Sequence, residues 1–140
     1  MIFESEFQNT LMKNLILFLI IAPLSLFSAS TILDPYEDIA NAIRSGDARS
    51  VSRYFSSSVD LTLIAQGDVY SKAQAEQILK DYFNKNTPRS FTIIHRGEAK
   101  DGSKYAIGSL VTSNGNYRVY YYFKVVAGSV NIQELRFMKE

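Results

Sequence analysis

Between Ser90 and Phe137 the chain is a succession of β-branched and aromatic runs, cut at Asp101-Gly102, Asn114-Gly115 and Ala127-Gly128. Such residues suit a pleated, half-buried surface, and Asp-Gly or Asn-Gly between two of these runs is the strongest short-range sign of a hairpin, because a type I′ turn needs positive φ at both central residues. Four consecutive antiparallel strands are predicted. The rest of the chain has to be arranged around that meander.

Upstream the apolar spacing becomes helical. Asp34 can cap free amides and Pro35 fits the first turn, after which Tyr36, Ile39, Ala40 and Ile43 recur on one face until Gly46. Asp47 opens a second short helix carrying Val51, Tyr54 and Phe55 before Ser56-Ser57-Ser58 breaks it. Val59, Leu61 and Leu63 then alternate with polar residues as a half-buried strand, and Gln66-Gly67-Asp68 is read as its turn toward Val69-Tyr70. Ser71 with Gln74 forms a capping box, starting a helix through Ala75, Ile78, Leu79, Tyr82 and Phe83. The fold class is α+β, with N-terminal helices packed on a strongly curved antiparallel sheet that ends in the four-strand meander.

Hairpin turns fix register, and register fixes which side chains share a face. Two-residue loops at Asp101-Gly102 and Asn114-Gly115 place His95 opposite Gly108, and Gly108 opposite Tyr121. One face then carries Phe91, Ile93, His95, Leu110, Tyr117, Val119, Tyr121, Phe123, Val125, Val130 and Ile132. Leu135 and Phe137 join this core face only through a β-bulge near Gln133-Glu134, which is predicted. The opposite face carries Ile94, Tyr105, Ile107, Val111, Tyr120, Tyr122 and Val126 beside Arg96, Arg118 and Lys124. Its apolar content makes Ile107, Tyr120 and Tyr122 the candidate contacts of a homodimer through the outer sheet face. A solvated sheet face covered by tyrosines is the bland alternative.

The N-terminus has a different character. Lys13 precedes an apolar run from Leu15 to Phe27, and Ser28, Ala29 and Ser30 follow, the order of a secretory signal. Residues 1–30 are read as a signal peptide and 31–140 as a single domain. Glu4 and Glu6 suit a basic leading region poorly, which makes Met12 a candidate for the true start. Rising about 20 Å as a helix, the apolar run falls short of a hydrocarbon core of about 30 Å, so no stable membrane span is expected after cleavage. Export to a periplasm or to the exterior follows. With no cysteine in 140 residues, the domain is held by its core and not by disulfides.

A net charge of +1, with the two signs interspersed, gives no phosphate-tracking surface, and nucleic acid is not an expected partner. One histidine and no cysteine offer no transition-metal set, and no cofactor is expected. The glycines at 102, 115 and 128 sit in strand-to-strand turns and form no phosphate loop.

The stretch Ile39 to Ala48, the run Val69 to Glu76, and Tyr105-Ala106-Ile107-Gly108 through Ser113 to Tyr120 resemble a family of exported bacterial domains of unknown function within the nuclear-transport-factor-2-like (cystatin-like) superfamily. The resemblance runs over about residues 33–138. It implies a cone-shaped fold whose curved sheet wraps around helices, and it brings no activity with it. The superfamily holds ketosteroid isomerase-like and dehydratase-like enzymes as well as non-catalytic binding and dimerisation modules, which use the space between helices and sheet. None of those enzymes' residue sets matches this sequence.

Function is therefore argued from single residues. The lone imidazole of His95 can act as a base or a pH switch near neutrality, and the missing side chain of Gly108 leaves a notch between His95 and Tyr121. These three, with Tyr54 and Tyr82 from the helices, form the candidate ligand-binding set. The leading reading is a non-enzymatic exported module that takes a small apolar ligand or a protein partner at the mouth of the cone. The alternatives are a small isomerase or hydro-lyase acting through His95, Tyr121 and Asp60, or a purely structural dimerisation module.

Overall fold

A computed structural model describes residues 34–140. The expected leader and the Met12 start lie outside the described residues. Among the described residues three helices, α1 (Pro35–Ser45), α2 (Ala48–Ser52) and α3 (Lys72–Lys85), pack on strands β1 (Phe55–Leu63), β2 (Gln66–Ser71), β3 (Pro88–Glu98), β4 (Lys104–Thr112), β5 (Gly115–Val126) and β6 (Ser129–Lys139). The strands form one six-stranded, curved and unclosed sheet in the order β2-β1-β6-β5-β4-β3.

The helix boundaries follow from capping chemistry. The Asp34 carboxylate accepts a hydrogen bond from the Tyr36 amide at 3.0 Å, and Gly46 closes α1 in the left-handed conformation (φ 67°). Asp47 caps α2 in the same way, and both halves of the Ser71–Gln74 capping box are present on α3. Phe55, read as helical from the sequence, instead opens β1 and is buried. The first strand turn falls at Ile64-Ala65, not at Gln66-Gly67-Asp68, since Leu63 pairs with Gln66. Ile64 takes positive φ there, 63°.

β1 lies antiparallel to β2 but parallel to β6, so the sheet is mixed and the meander joins the rest through its last strand. The bulge expected near Gln133 is present: Phe123 pairs with Ile132 while Tyr122 pairs with Glu134, leaving Gln133 as the extra residue. Leu135 and Phe137 thereby turn inward and are fully buried.

The turns differ from expectation in an informative way. Ala127 (φ 50°) and Gly128 (φ 79°) both have positive φ, as type I′ requires. Asn114 does not, and the second turn pairs Thr112 with Gly115, which moves the register by two. Gly108 consequently opposes Val119, with every face kept. At the first turn the Asp101 carboxylate accepts from the Ser103 amide at 3.0 Å, Gly102 takes φ 83°, and the Ala99 amide donates to the Ser103 carbonyl at 2.8 Å. An Asp side chain bonded two residues on stabilises a three-residue loop instead of a two-residue one. That shift is by one, and it turns side chains over.

Candidate functional site

The one-residue shift removes the predicted His95–Gly108–Tyr121 row. His95 pairs with Ile107, Gly108 with Ile93 and Val119, and Tyr121 with Ala106 and Leu135. A bulge at Ile94 restores the expected faces for Phe91 and Ile93, so only the end of β3 is inverted. His95 lies exposed on the outer face, where its Nε2 shares a 3.3 Å hydrogen bond with the Tyr105 hydroxyl. Arg96, expected outside, crosses to the helix side and binds Asp34 at 2.7 Å and Glu37 at 2.9 Å, its guanidinium 5.1 Å from the Tyr36 ring centre. Asp60 pairs with Glu134 on the outer face, away from Tyr121. The isomerase-like set of His95, Tyr121 and Asp60 is not assembled.

The notch beside Gly108 is occupied. A β-carbon there would overlap the Phe91 ring and stand 3.0 Å from the Thr92 carbonyl oxygen. Glycine at this position admits the aromatic ring, not a ligand. Tyr121 spends its hydroxyl on the Tyr36 carbonyl at 2.9 Å, and its ring stacks on Phe123 at 6.1 Å. Tyr82 packs against Phe137 at 4.8 Å and Tyr117 at 5.7 Å, while Tyr117 donates to Asn86 Oδ1 at 2.9 Å. Burial pushes the hydroxyls of Tyr82 and Tyr121 well above the ordinary tyrosine range. Among the described residues the buried Tyr82 hydroxyl has no hydrogen-bond partner. The space between helices and sheet is thus filled by aromatic side chains of the chain itself.

Two surface regions hold the remaining candidate residues. On the outer face of β4, β5 and β6 a groove of about 420 Å³ is lined by Ile107, Arg118, Tyr120, Glu134, Arg136 and Met138. Tyr105 and Tyr120 stand 6.2 Å apart there, and Tyr122 lies half-buried on the same face, opposite Tyr105. Arg136 sits over the Tyr120 ring at 6.0 Å and pairs with Glu134, while Arg118 Nε donates to Glu140 at 2.9 Å. The face therefore combines a half-buried apolar centre with charges of both signs.

The second region is a groove of about 480 Å³ where the start of α1, the α2–β1 junction and the β5–β6 hairpin meet. Tyr54, expected on a helix, lies in that junction and lines the groove. Of the residues named from sequence as ligand contacts, it alone borders this opening. Arg53 and Asp38 also line it and were not anticipated, because a helix start, a helix–strand junction and a hairpin from distant parts of the chain build this wall.

Comparison with known proteins supplies a context for this geometry. A family model described as Domain of unknown function (DUF4783) matches residues 36–138. A crystal structure of a DUF4783 family protein from Bacteroides uniformis is 29% identical, with a TM-score of 0.71 over 76% of this chain and 98% of that one. An NTF2-like protein from Cytophaga hutchinsonii superposes with a TM-score of 0.57 at 12% identity, over 82% of this chain and 100% of that one. A domain of unknown function with a cystatin-like fold from Nostoc punctiforme gives 0.59 at 9% identity, over 75% and 72%. The last two likenesses are of fold alone. No curated protein matches the chain.

Proposed function

The chain belongs to the DUF4783 family of domains of unknown function, and on that premise we propose that it is a non-catalytic association module that docks a second copy of itself across the outer face of β4, β5 and β6. The observation that carries this reading is the contrast within one sheet: its inner face is committed to the core from Tyr117 to Phe123, while on the outer face Ile107 and Tyr120 line a groove and Tyr122 lies beside them, all only half-buried. Arg118 and Arg136 beside Glu134 and Glu140 give the face both signs of charge, as an isologous two-fold contact needs. A small apolar ligand between helices and sheet has less to support it, because the aromatic core occupies that space.

Multi-angle light scattering on the full chain tests the association. A dimer that becomes a monomer in Tyr120→Glu, with the unfolding midpoint of the monomer held, is the expected result. A wild-type chain that stays monomeric at high micromolar concentration ends the proposal. Export belongs to the same reading and rests on the Lys13, Leu15–Phe27 and Ser28-Ala29-Ser30 pattern. N-terminal sequencing of chain recovered outside the cytoplasm should begin near Thr31; an intact Met1 or Met12 would refute cleavage.

A further inference from the structure

We propose that the groove at the α1, α2–β1 and β5–β6 junction is a second, independent site that binds a small zwitterion with an apolar body, either a free apolar α-amino acid or a short peptide with both ends free. The first turn of α1 contributes Pro35 and Asp38, the α2–β1 junction Arg53 and Tyr54, and the hairpin Val125 and Val130. The volume of about 480 Å³ falls in the range of small-ligand sites, which are mostly apolar with a few placed polar groups. Val125 is 42% exposed, an apolar wall facing the opening instead of the core. The tight turn at Ala127 (φ 50°) and Gly128 (φ 79°) fixes that wall in place.

The charges select the ligand class. Asp38 and Arg53 line the same groove with opposite signs, yet neither takes part in any ion pair among the described residues. The neighbouring acids are already committed: Asp34 and Glu37 bind Arg96, and Asp47 caps α2, where it feels the Arg53 charge without pairing to it. A ligand with one charge would leave the opposite protein charge partly desolvated and unpaired, whereas a zwitterion satisfies both. Asp38, Arg53 and Tyr54 also border an adjoining depression of about 300 Å³ that continues past Asn41, Ser45 and Ser50. The apolar side of the ligand thus lies toward the hairpin and its charged head between Asp38 and Arg53. A polar backbone has room to extend along α1.

Isothermal titration calorimetry of the full chain with leucine, the dipeptide Leu-Leu, isoamylamine and 4-methylpentanoate tests this. Binding of leucine or Leu-Leu, with both single-charge analogues about tenfold weaker or worse, is the expected pattern, since a charge-assisted hydrogen bond contributes at least that factor. If the dipeptide binds more tightly than leucine the natural ligand is a peptide; the reverse order identifies a free amino acid. Arg53→Ala and Asp38→Asn, both at solvent-accessible positions, should each weaken binding about tenfold while leaving the oligomeric state unchanged. No heat from either zwitterion at millimolar concentration, equal binding of a single-charge analogue, or unchanged affinity in Arg53→Ala would overturn the assignment. Because the site lies away from the outer sheet face, its failure leaves the association reading untouched.

Discussion

The two faces of the sheet use the same residue type to opposite ends. Inside, Tyr117 and Tyr121 are 2% and 0% exposed and each hydroxyl is bonded to a fixed acceptor, so tyrosine serves as a long, anchored filler. Outside, Tyr105, Tyr120 and Tyr122 lie half-buried at the surface, where Tyr105 shares its hydroxyl with exposed His95 and Arg136 lies over the Tyr120 ring. Composition treats these tyrosines alike. Position in the pleat separates a residue that holds the fold from one that is free to recognise something.

That contrast breaks first, and most heavily, at Phe137. Truncation to alanine removes a fully buried ring that packs on Tyr82 and Phe83, and should cost about 3–5 kcal/mol in denaturant unfolding. A loss under about 1 kcal/mol would mean the interior is not packed solid. Next in size is Gly108→Ala, where the new methyl meets the Phe91 ring; a loss of about 1–3 kcal/mol is expected. Phe91→Leu in the same chain should recover part of it, and strict additivity of the two changes would contradict the contact.

A sharper test compares two inner hydroxyls. Tyr117→Phe strips a partner from buried Asn86 and should cost about 1–3 kcal/mol, while Tyr82→Phe deletes a hydroxyl with no partner among the described residues and should stay within about 0.5 kcal/mol or stabilise. Equal effects would show that the Tyr82 hydroxyl is bonded after all. The smallest effect belongs to the rim between the faces. Burial pulls the Asp34 carboxyl up, but hydrogen bonds from Arg96 and the Tyr36 amide, with the Arg96 charge, outweigh it and hold the group below 3.8. A depressed carboxyl stabilises above its unfolded value and loses that contribution as pH falls through the folded one, so the effect appears below about pH 4. Asp34→Asn keeps the cap and removes the charge, and should flatten the acid limb of the stability profile by less than about 1 kcal/mol. An acid limb identical to wild type would exclude the Arg96 pairing as a contributor.

The sequence made most of the fold legible and little of the site. Capping residues placed the helices, and the bulge at Gln133 could be anticipated because Leu135 and Phe137 would otherwise have faced water. The slip at Asp101 could not: a hydrogen bond from the Ser103 amide to the Asp101 carboxylate chose the loop, and the pattern of strand residues is the same for either length. One residue of loop then carried His95 from the core to the surface. The rim groove was hidden for another reason. Its walls come from residues near 38, 54 and 128, and no local periodicity records that they meet.

The parallel pairing of β1 with β6 has a consequence for the order in which the domain can be made. Among the described residues the β1–β2 hairpin has no sheet neighbour except β6, so it cannot lock into the sheet until Ser129–Lys139 has been synthesised. Until then the ribosome holds an incomplete chain with an exposed aromatic seam, a form still loose enough to be threaded elsewhere or captured by a chaperone.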